Sequence, residues 1–268
     1  MKMQNSLRCF RVWLLLFLVP VFGVCAGELG PLSMKHARLV PEGNGEIDIS
    51  IAFISDYYNH FEERDSDRTR GEVPRIELRL GMGRLVEIDL GFENLVIEEE
   101  GKFDKWGAGD VVVGAKVGLG VCLADSLEMA VFFETKVPSA DDERGFGTDQ
   151  TDFAAGFLGC CDLSVCEALL DLGVSIMDDP RTGRLAQDDV FTYGAGLSFD
   201  LLSGDMLLLA SVEGALSGES VNRRGSFAGG VIIRSGDWRW YLGSSSGYTR
   251  FSEDWSVRAG MSKRFRMF

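Results

Sequence analysis

The chain has 268 residues, 33 of them glycine and only 6 proline, with a formal net charge of −14. A pI near 4.6 excludes a protein built to grip nucleic-acid phosphates, which requires a basic face. Beyond residue 24 no stretch offers about 18 consecutive apolar residues, so no transmembrane helix is expected, and a mean hydropathy near zero suits strands with one apolar and one polar face.

Lys2, Arg8 and Arg11 make a basic start, and Val12 to Val24 is an apolar run too short to span a bilayer as a helix. Val24-Cys25-Ala26 fits the small-residue cleavage rule, which makes residues 1–26 a signal peptide and Gly27 the mature start. A lipoprotein anchored on Cys25 is disfavoured, because Phe22-Gly23-Val24 lacks the leucine and the small residue that such a signal carries. Residues 27–45 are then a periplasmic N-terminal segment.

From residue 46 the chain alternates with period two. Ile47, Ile49, Ile51 and Phe53 alternate with Asp48, Ser50 and Ala52. A long polar gap follows, then Ile76, Leu78 and Leu80 against Arg75, Glu77 and Arg79, a short gap, and Val86, Ile88, Leu90 and Phe92 against Glu87, Asp89, Gly91 and Glu93. A second long polar gap, 98–107, precedes Val111 to Leu119; a short turn leads to Leu127, Met129, Val131 and Phe133, set against Glu128 and Glu134. The pattern continues through strands at Phe153–Phe157, Leu170–Ile176, Phe191–Phe199, Met206–Ala215, Phe227–Ile233, Trp238–Leu242 and Val257–Met261. Met206–Val212 is the longest apolar run after the start.

Long and short gaps themselves alternate. That rhythm predicts a closed antiparallel transmembrane β-barrel of about twelve strands over residues 46–268, with short periplasmic turns and long outer loops. An even count places both termini on the periplasmic side with the short turns. No proline is expected inside a strand. Because a Lys or Arg facing lipid at the midplane costs about 2–4 kcal/mol, the strand charges must point inward. Glu77, Arg79, Asp89, Lys116, Glu134, Lys136, Glu213, Arg239 and Arg258 are therefore the proposed lumen lining. Trp238, Trp240 and Trp255 suit an interfacial girdle.

The C-terminal stretch Arg258–Phe265 carries Gly260 two residues after a polar position and then an aromatic, Phe265; the chain ends at Phe268. This resembles the assembly signal read by the barrel-insertion machinery, with Lys263 departing from the pattern. Two further stretches resemble one family. Gly107-Ala-Gly109-Asp110, with Gly114 and Lys116, is similar to its G-x-G-D-x-x-x-G-x-K strand opening. Lys136-Val-Pro138-Ser139, followed by Gly145, Gly147, Asp152 and Gly156, is similar to its K-x-P-x-G…G-x-G-x-x-D-[YF]-x-x-G stretch, with Ala140 where that pattern has glycine. The family is the bacterial outer-membrane group labelled "putative MetA-pathway of phenol degradation". The resemblance implies a barrel in a Gram-negative outer membrane and a transporter-like role toward small organic or aromatic compounds.

Enzymatic chemistry finds little footing. The chain has two histidines, His36 before the first strand and His60 in the first long gap, and neither sits on a strand beside a serine. Asp65-Ser-Asp67-Arg-Thr69 opens like a calcium loop, but Arg70 and Ile76 stand where its glycine and final glutamate belong. No catalytic residue, metal or cofactor is expected. Asp141-Asp142-Glu143 and Asp188-Asp189 could bridge cations to lipopolysaccharide phosphates at the outer rim, so the expected partners are lipid, lipopolysaccharide, the insertion machinery and an unidentified solute. The mature chain keeps Cys122, Cys160, Cys161 and Cys166; an oxidising compartment predicts a disulfide from Cys166 to Cys160 or Cys161, with free thiols as the alternative. Two functional readings stand. One is a channel for passive or weakly selective passage of small, including aromatic or hydrophobic, molecules. The other is a structural or adhesive barrel whose side chains fill the lumen, and a plug formed by residues 27–45 is compatible with either.

Overall fold

The computed structural model describes residues 32–55, 69–99, 102–122, 126–141, 143–144, 146–147, 150–178, 187–217 and 223–268. The expected signal peptide, His60, Asp65, Asp142 and Gly145 lie outside the described residues. Among the described residues, thirteen strands run in chain order: β1 Asn44–Ser55, β2 Arg70–Gly81, β3 Val86–Glu99, β4 Lys102–Ala108, β5 Val111–Cys122, β6 Leu127–Val137 and β7 Asp152–Asp162. The remainder are β8 Glu167–Asp178, β9 Gln187–Leu201, β10 Met206–Leu216, β11 Arg224–Ser235, β12 Trp238–Gly247 and β13 Trp255–Arg266.

Twelve of them form a closed ring. Each pairs antiparallel with its neighbours, and β1 closes on β13 from Asn44↔Arg266 to Ser55↔Trp255. β4 stands apart, pairing only with the outer end of β3, from Asn94↔Ala108 to Glu99↔Lys102. The polar gap at 98–107 is thus part of a hairpin extending the wall. Strand pairing persists there without an alternating apolar face. A second departure from expectation is Pro74, which lies inside β2. The β2–β3 register shifts between Glu72 and Arg75, and a bulge is the place where a residue without an N–H fits a ladder.

The short connections between consecutive ring strands at 82–85, 163–166, 202–205 and 236–237 gather at one rim, with both ends of the ring; this is the turn rim, and the β3–β4 hairpin and the long connections mark the loop rim. Along β1 the inward residues Glu46, Asp48, Ser50 and Ala52 are buried, while Ile51 and Phe53 stand about half exposed. The same holds around the ring, with Leu90, Phe133, Val174, Phe191, Leu208 and Leu242 exposed on the outer face. An apolar belt this continuous is the exterior of a barrel that meets lipid, and closure removes the edge that lipid cannot satisfy.

The interior of the turn-side half is occupied by the chain's own N-terminal segment and an apolar cluster around it. Residues 32–43 run inside the ring before β1 begins, and Leu32, Met34 and Ala37 are buried. They join one apolar cluster with Ala130 and Phe132 of β6, Leu158 and Cys160 of β7, Leu169 of β8, Leu207 and Leu209 of β10 and Ile232 of β11. This explains the uninterrupted run Met206–Val212: Leu208 faces outward and Leu207 and Leu209 face this plug. Gly194 and Gly196 make room for Met34, whose side chain lies 3.1 and 3.3 Å from where their β-carbons would stand.

Candidate functional site: the plugged lumen

Across from the apolar cluster, the turn-side interior is ionic. Glu46, fully buried, is met by Arg79 Nη2 at 3.1 Å, Arg264 Nη2 at 3.3 Å and Arg239 Nη2. Tyr241 donates its hydroxyl to Asp48 at 2.6 Å. Its ring lies over Gly260, where a β-carbon would stand 2.4 Å from the phenolic oxygen, so this glycine has a packing reason of its own. Phe265 likewise covers Gly45, and Phe268 is largely exposed.

The plug is tied to the wall at both levels. Near the turn rim the Val40 amide donates to Glu87, which also meets Lys116 at 2.7 Å. Lys116 in turn donates to the carbonyls of His36 (3.2 Å) and Arg38 (3.3 Å). Arg38 reaches Glu128 and Glu167, and His36 Nε2 lies 3.2 Å from Glu167. Higher up, Lys35 pairs with Glu134 at 2.5 Å, lies over the Phe132 ring at 4.6 Å and donates its amide to Asp171 at 3.2 Å.

Two cavities of about 460 and 410 Å³ lie beside the inner end of the plug, and Ser33, Met34, Lys35, Glu134 and Arg258 line both. The first extends to loop-rim residues Arg224, Ser252 and Glu253 and has a mixed lining: hydroxyls and charges from Ser175, Thr192, Ser226, Ser244, Ser245, Ser256, Asp171, Glu213 and Lys136, and apolar surface from Met34, Ile54, Phe132, Phe153 and Ala228. The second is lined by Arg70, Glu72, Arg75, Glu77, Asp89, Glu93 and Asp110. Its charges are crosslinked: Arg70 meets Glu93 at 2.5 Å, Arg75 Nε donates to Glu77 at 2.8 Å and Arg258 donates to Glu72 at 3.0 Å. Thus Glu77, Asp89, Glu134, Lys136, Glu213 and Arg258 sit on the cavities, Arg79 borders the second cavity while pairing with Glu46, Arg239 belongs to the Glu46 cluster, and Lys116 borders the second cavity while gripping the plug.

Lys35, Arg38, Glu46, Glu72, Glu167 and Asp171 are interior partners that the strand pattern left out. A signal for the first two existed. β6 and β8 point Glu128, Glu134, Glu167 and Asp171 inward with few cations on the same strands, and the segment before β1 supplies Lys35 and Arg38.

The two motif stretches come together at the loop rim. Asp110 Oδ1 accepts the amides of Ser139 (2.9 Å) and Ala140 (3.0 Å), and Ser139 Oγ accepts the Val111 amide. Lys136 bridges Asp110 at 3.8 Å and Asp152 at 2.5 Å. Buried Phe146 covers Gly107, and Gly147 touches the Asp110 carboxylate; a β-carbon at either glycine would clash at 2.4–2.7 Å. Gly109 lies against Glu93, Gly114 faces Asp89, and Gly156 lies against Phe132 and the Leu172 carbonyl. Pro138 starts the connection that this latch folds over the rim.

Cys160, Cys161 and Cys166 stand as free thiols, the alternative to the expected disulfide; the alternation of β7 turns Cys160 inward toward Glu167 while Cys161 takes the other face. Trp238 and Trp240 stack at 6.1 Å on the outer face near the turn rim, with Lys263 at 4.9 Å over Trp238, and Trp255 is exposed at the loop-rim end of β13.

A closed twelve-strand ring with an apolar exterior and a charged interior defines the class: this is an outer-membrane-type β-barrel. Its fold is matched by the COG4313 outer membrane channel from Pseudomonas putida F1, with a TM-score of 0.67 and 11% identity over 87% of this chain and 100% of that one. It is also similar to the NanC porin (TM-score 0.57, 12% identity, 81% and 98% covered) and to the KdgM porin in complex with disordered oligogalacturonate (0.56, 9%, 82% and 99%). At such identities the likeness is one of fold. No family model matches the chain, and no curated protein does, so the phenol-degradation label has only the two motif stretches behind it.

Proposed function

We propose that the chain sits in the outer membrane, with its turn rim and termini in the periplasm, and works as a plugged channel for small solutes. The observation that carries this is the division of the interior. Solvent-sized cavities reach from the loop rim to a plug that is a separate segment, held at its inner end by partly exposed ion pairs such as Lys35–Glu134. Such pairs contribute about 0–1 kcal/mol each, and burial of Leu32 and Met34 adds about 1.5–3 kcal/mol each, so the inner end of the plug can yield at a cost smaller than that of opening a ladder of the wall. The mixed cavity lining, with hydroxyls and charges beside Met34, Ile54, Phe132 and Phe153, suits small amphipathic cargo that pairs a polar group with an apolar or aromatic part. That the fold's counterparts include an outer membrane channel and two porins supports passage.

The packed turn-side half favours the second reading, a sealed structural barrel. Planar-bilayer recordings separate the two. The mature chain should conduct weakly, and a variant lacking residues 27–41 should conduct several-fold more and admit small sugars and amino acids into liposomes. If the shortened barrel folds, by its heat-dependent gel shift, yet leaves the bilayer sealed, the channel reading fails and the structural one stands.

A further inference from the structure

We propose that His36, Cys160 and Glu167 form a binding site for a divalent transition-metal ion of the zinc type, and that the ion fastens the plug to the barrel wall. The three side chains come from three elements: the plug, the end of β7 and the start of β8. All are buried, and their donor atoms lie within 4.8 Å of one another. His36 Nε2 and Glu167 Oε2 are 3.2 Å apart. Two ligands at bond lengths of about 2.0–2.3 Å on a tetrahedral ion stand about 3.3–3.6 Å apart, so the set closes on an ion with side-chain movements of roughly 1 Å. Imidazole, thiolate and carboxylate together suit zinc and its neighbours rather than calcium or magnesium, which take oxygen alone.

The surroundings fit as well. Arg38 Nη2 holds Glu167 Oε1 at 2.7 Å, which leaves Oε2 aimed at His36 and fixes the carboxylate as an outer partner should. Glu128 lies directly across from Cys160 in the β6–β7 ladder, on the same inward face. Its side chain is 38% exposed, so it marks a way in from solvent and offers a fourth oxygen. Two protons are involved. The Arg38 amide points at His36 Nδ1 at 2.9 Å, which puts the imidazole proton on Nε2, facing Glu167. Binding at Nε2 moves that proton to Nδ1 and releases the Arg38 amide, while the Cys160 thiol loses its proton to solvent; each ion bound therefore liberates one proton.

The test uses the reduced mature chain folded in detergent and titrated with Co²⁺. A single Co²⁺ per barrel should bind, with a thiolate-to-metal charge-transfer band that Zn²⁺ abolishes. Cys160→Ser and His36→Ala should each weaken binding at least about tenfold, whereas the double variant Cys161→Ser/Cys166→Ser should keep the band. Absence of the band, or its survival in Cys160→Ser, overturns the site. Should His36→Ala not fold, the near-isosteric Cys160→Ser decides alone. Zn²⁺ should also slow tryptic cleavage after Lys35 and Arg38 several-fold in the parent chain and not in Cys160→Ser. Equal cleavage with the ion bound overturns the fastening.

Discussion

Glu46 holds three arginines from three strands, Arg79, Arg239 and Arg264, at a place with no exposure. A buried pair is costly to assemble, but removing one member leaves the rest uncompensated, at about 3–5 kcal/mol. Glu46→Ala is therefore expected to destabilise the barrel by that much in urea unfolding from lipid vesicles. Glu134→Gln, which loses only the partly exposed pair with Lys35, should stay within about 1 kcal/mol. Equal effects would mean that Glu46 is hydrated in solution. At this scale the sequence was informative on direction and poor on partner. The cost of charge in lipid puts Arg79 and Arg239 on the inner face, but nothing in β2 or β12 says that they share an acid from β1, since register between strands far apart in the chain is not written in either one. Cys160 and Cys161 illustrate the same limit. Adjacency in sequence suggests equivalence, and a strand sends the two to opposite faces.

The latch that joins β5, β6 and β7 shows how a motif can be structural. Asp110 caps the amides of Ser139 and Ala140, and Phe146 fills the space over Gly107. Asp110→Ala leaves those two amides without their acceptor, and tryptic cleavage after Arg144 should accelerate several-fold while the heat-dependent gel shift of the barrel persists. Asp110→Asn keeps one carbonyl oxygen and should fall between. Indistinguishable rates in all three chains would show that the connection is held by other contacts. The twelve wall strands were legible because lipid imposes one rule on every outer face. The elements outside lipid were not. β4 pairs with β3 without an alternating pattern to announce it, and Pro74 is tolerated because a bulge replaces a ladder bond. The plug is equally silent, since residues 32–41 have no period of their own and gain their conformation from the interior they fill.

For the molecule as a whole, the decisive question is which solvent meets the outer face. Leu242 and Leu216 are both 53% exposed and both point outward, from the middle of β12 and from the loop-rim end of β10. In water the two are equivalent, and Leu→Arg at either would change stability by about 0.5 kcal/mol or less. In a bilayer their depths differ. Leu242→Arg places a cation near the midplane, at a cost of about 2–4 kcal/mol, whereas Leu216→Arg lies near the interface, at about 0–1 kcal/mol. The native chain obeys the same gradient, for its outward Lys263 sits near the turn rim against Trp238. Unfolding in guanidinium from vesicles should therefore separate the two variants by about 1–4 kcal/mol, and the gap should close in a short-chain detergent that lets water reach both positions. Variants that behave alike in vesicles would refute a membrane-spanning ring and return the apolar belt to some other partner.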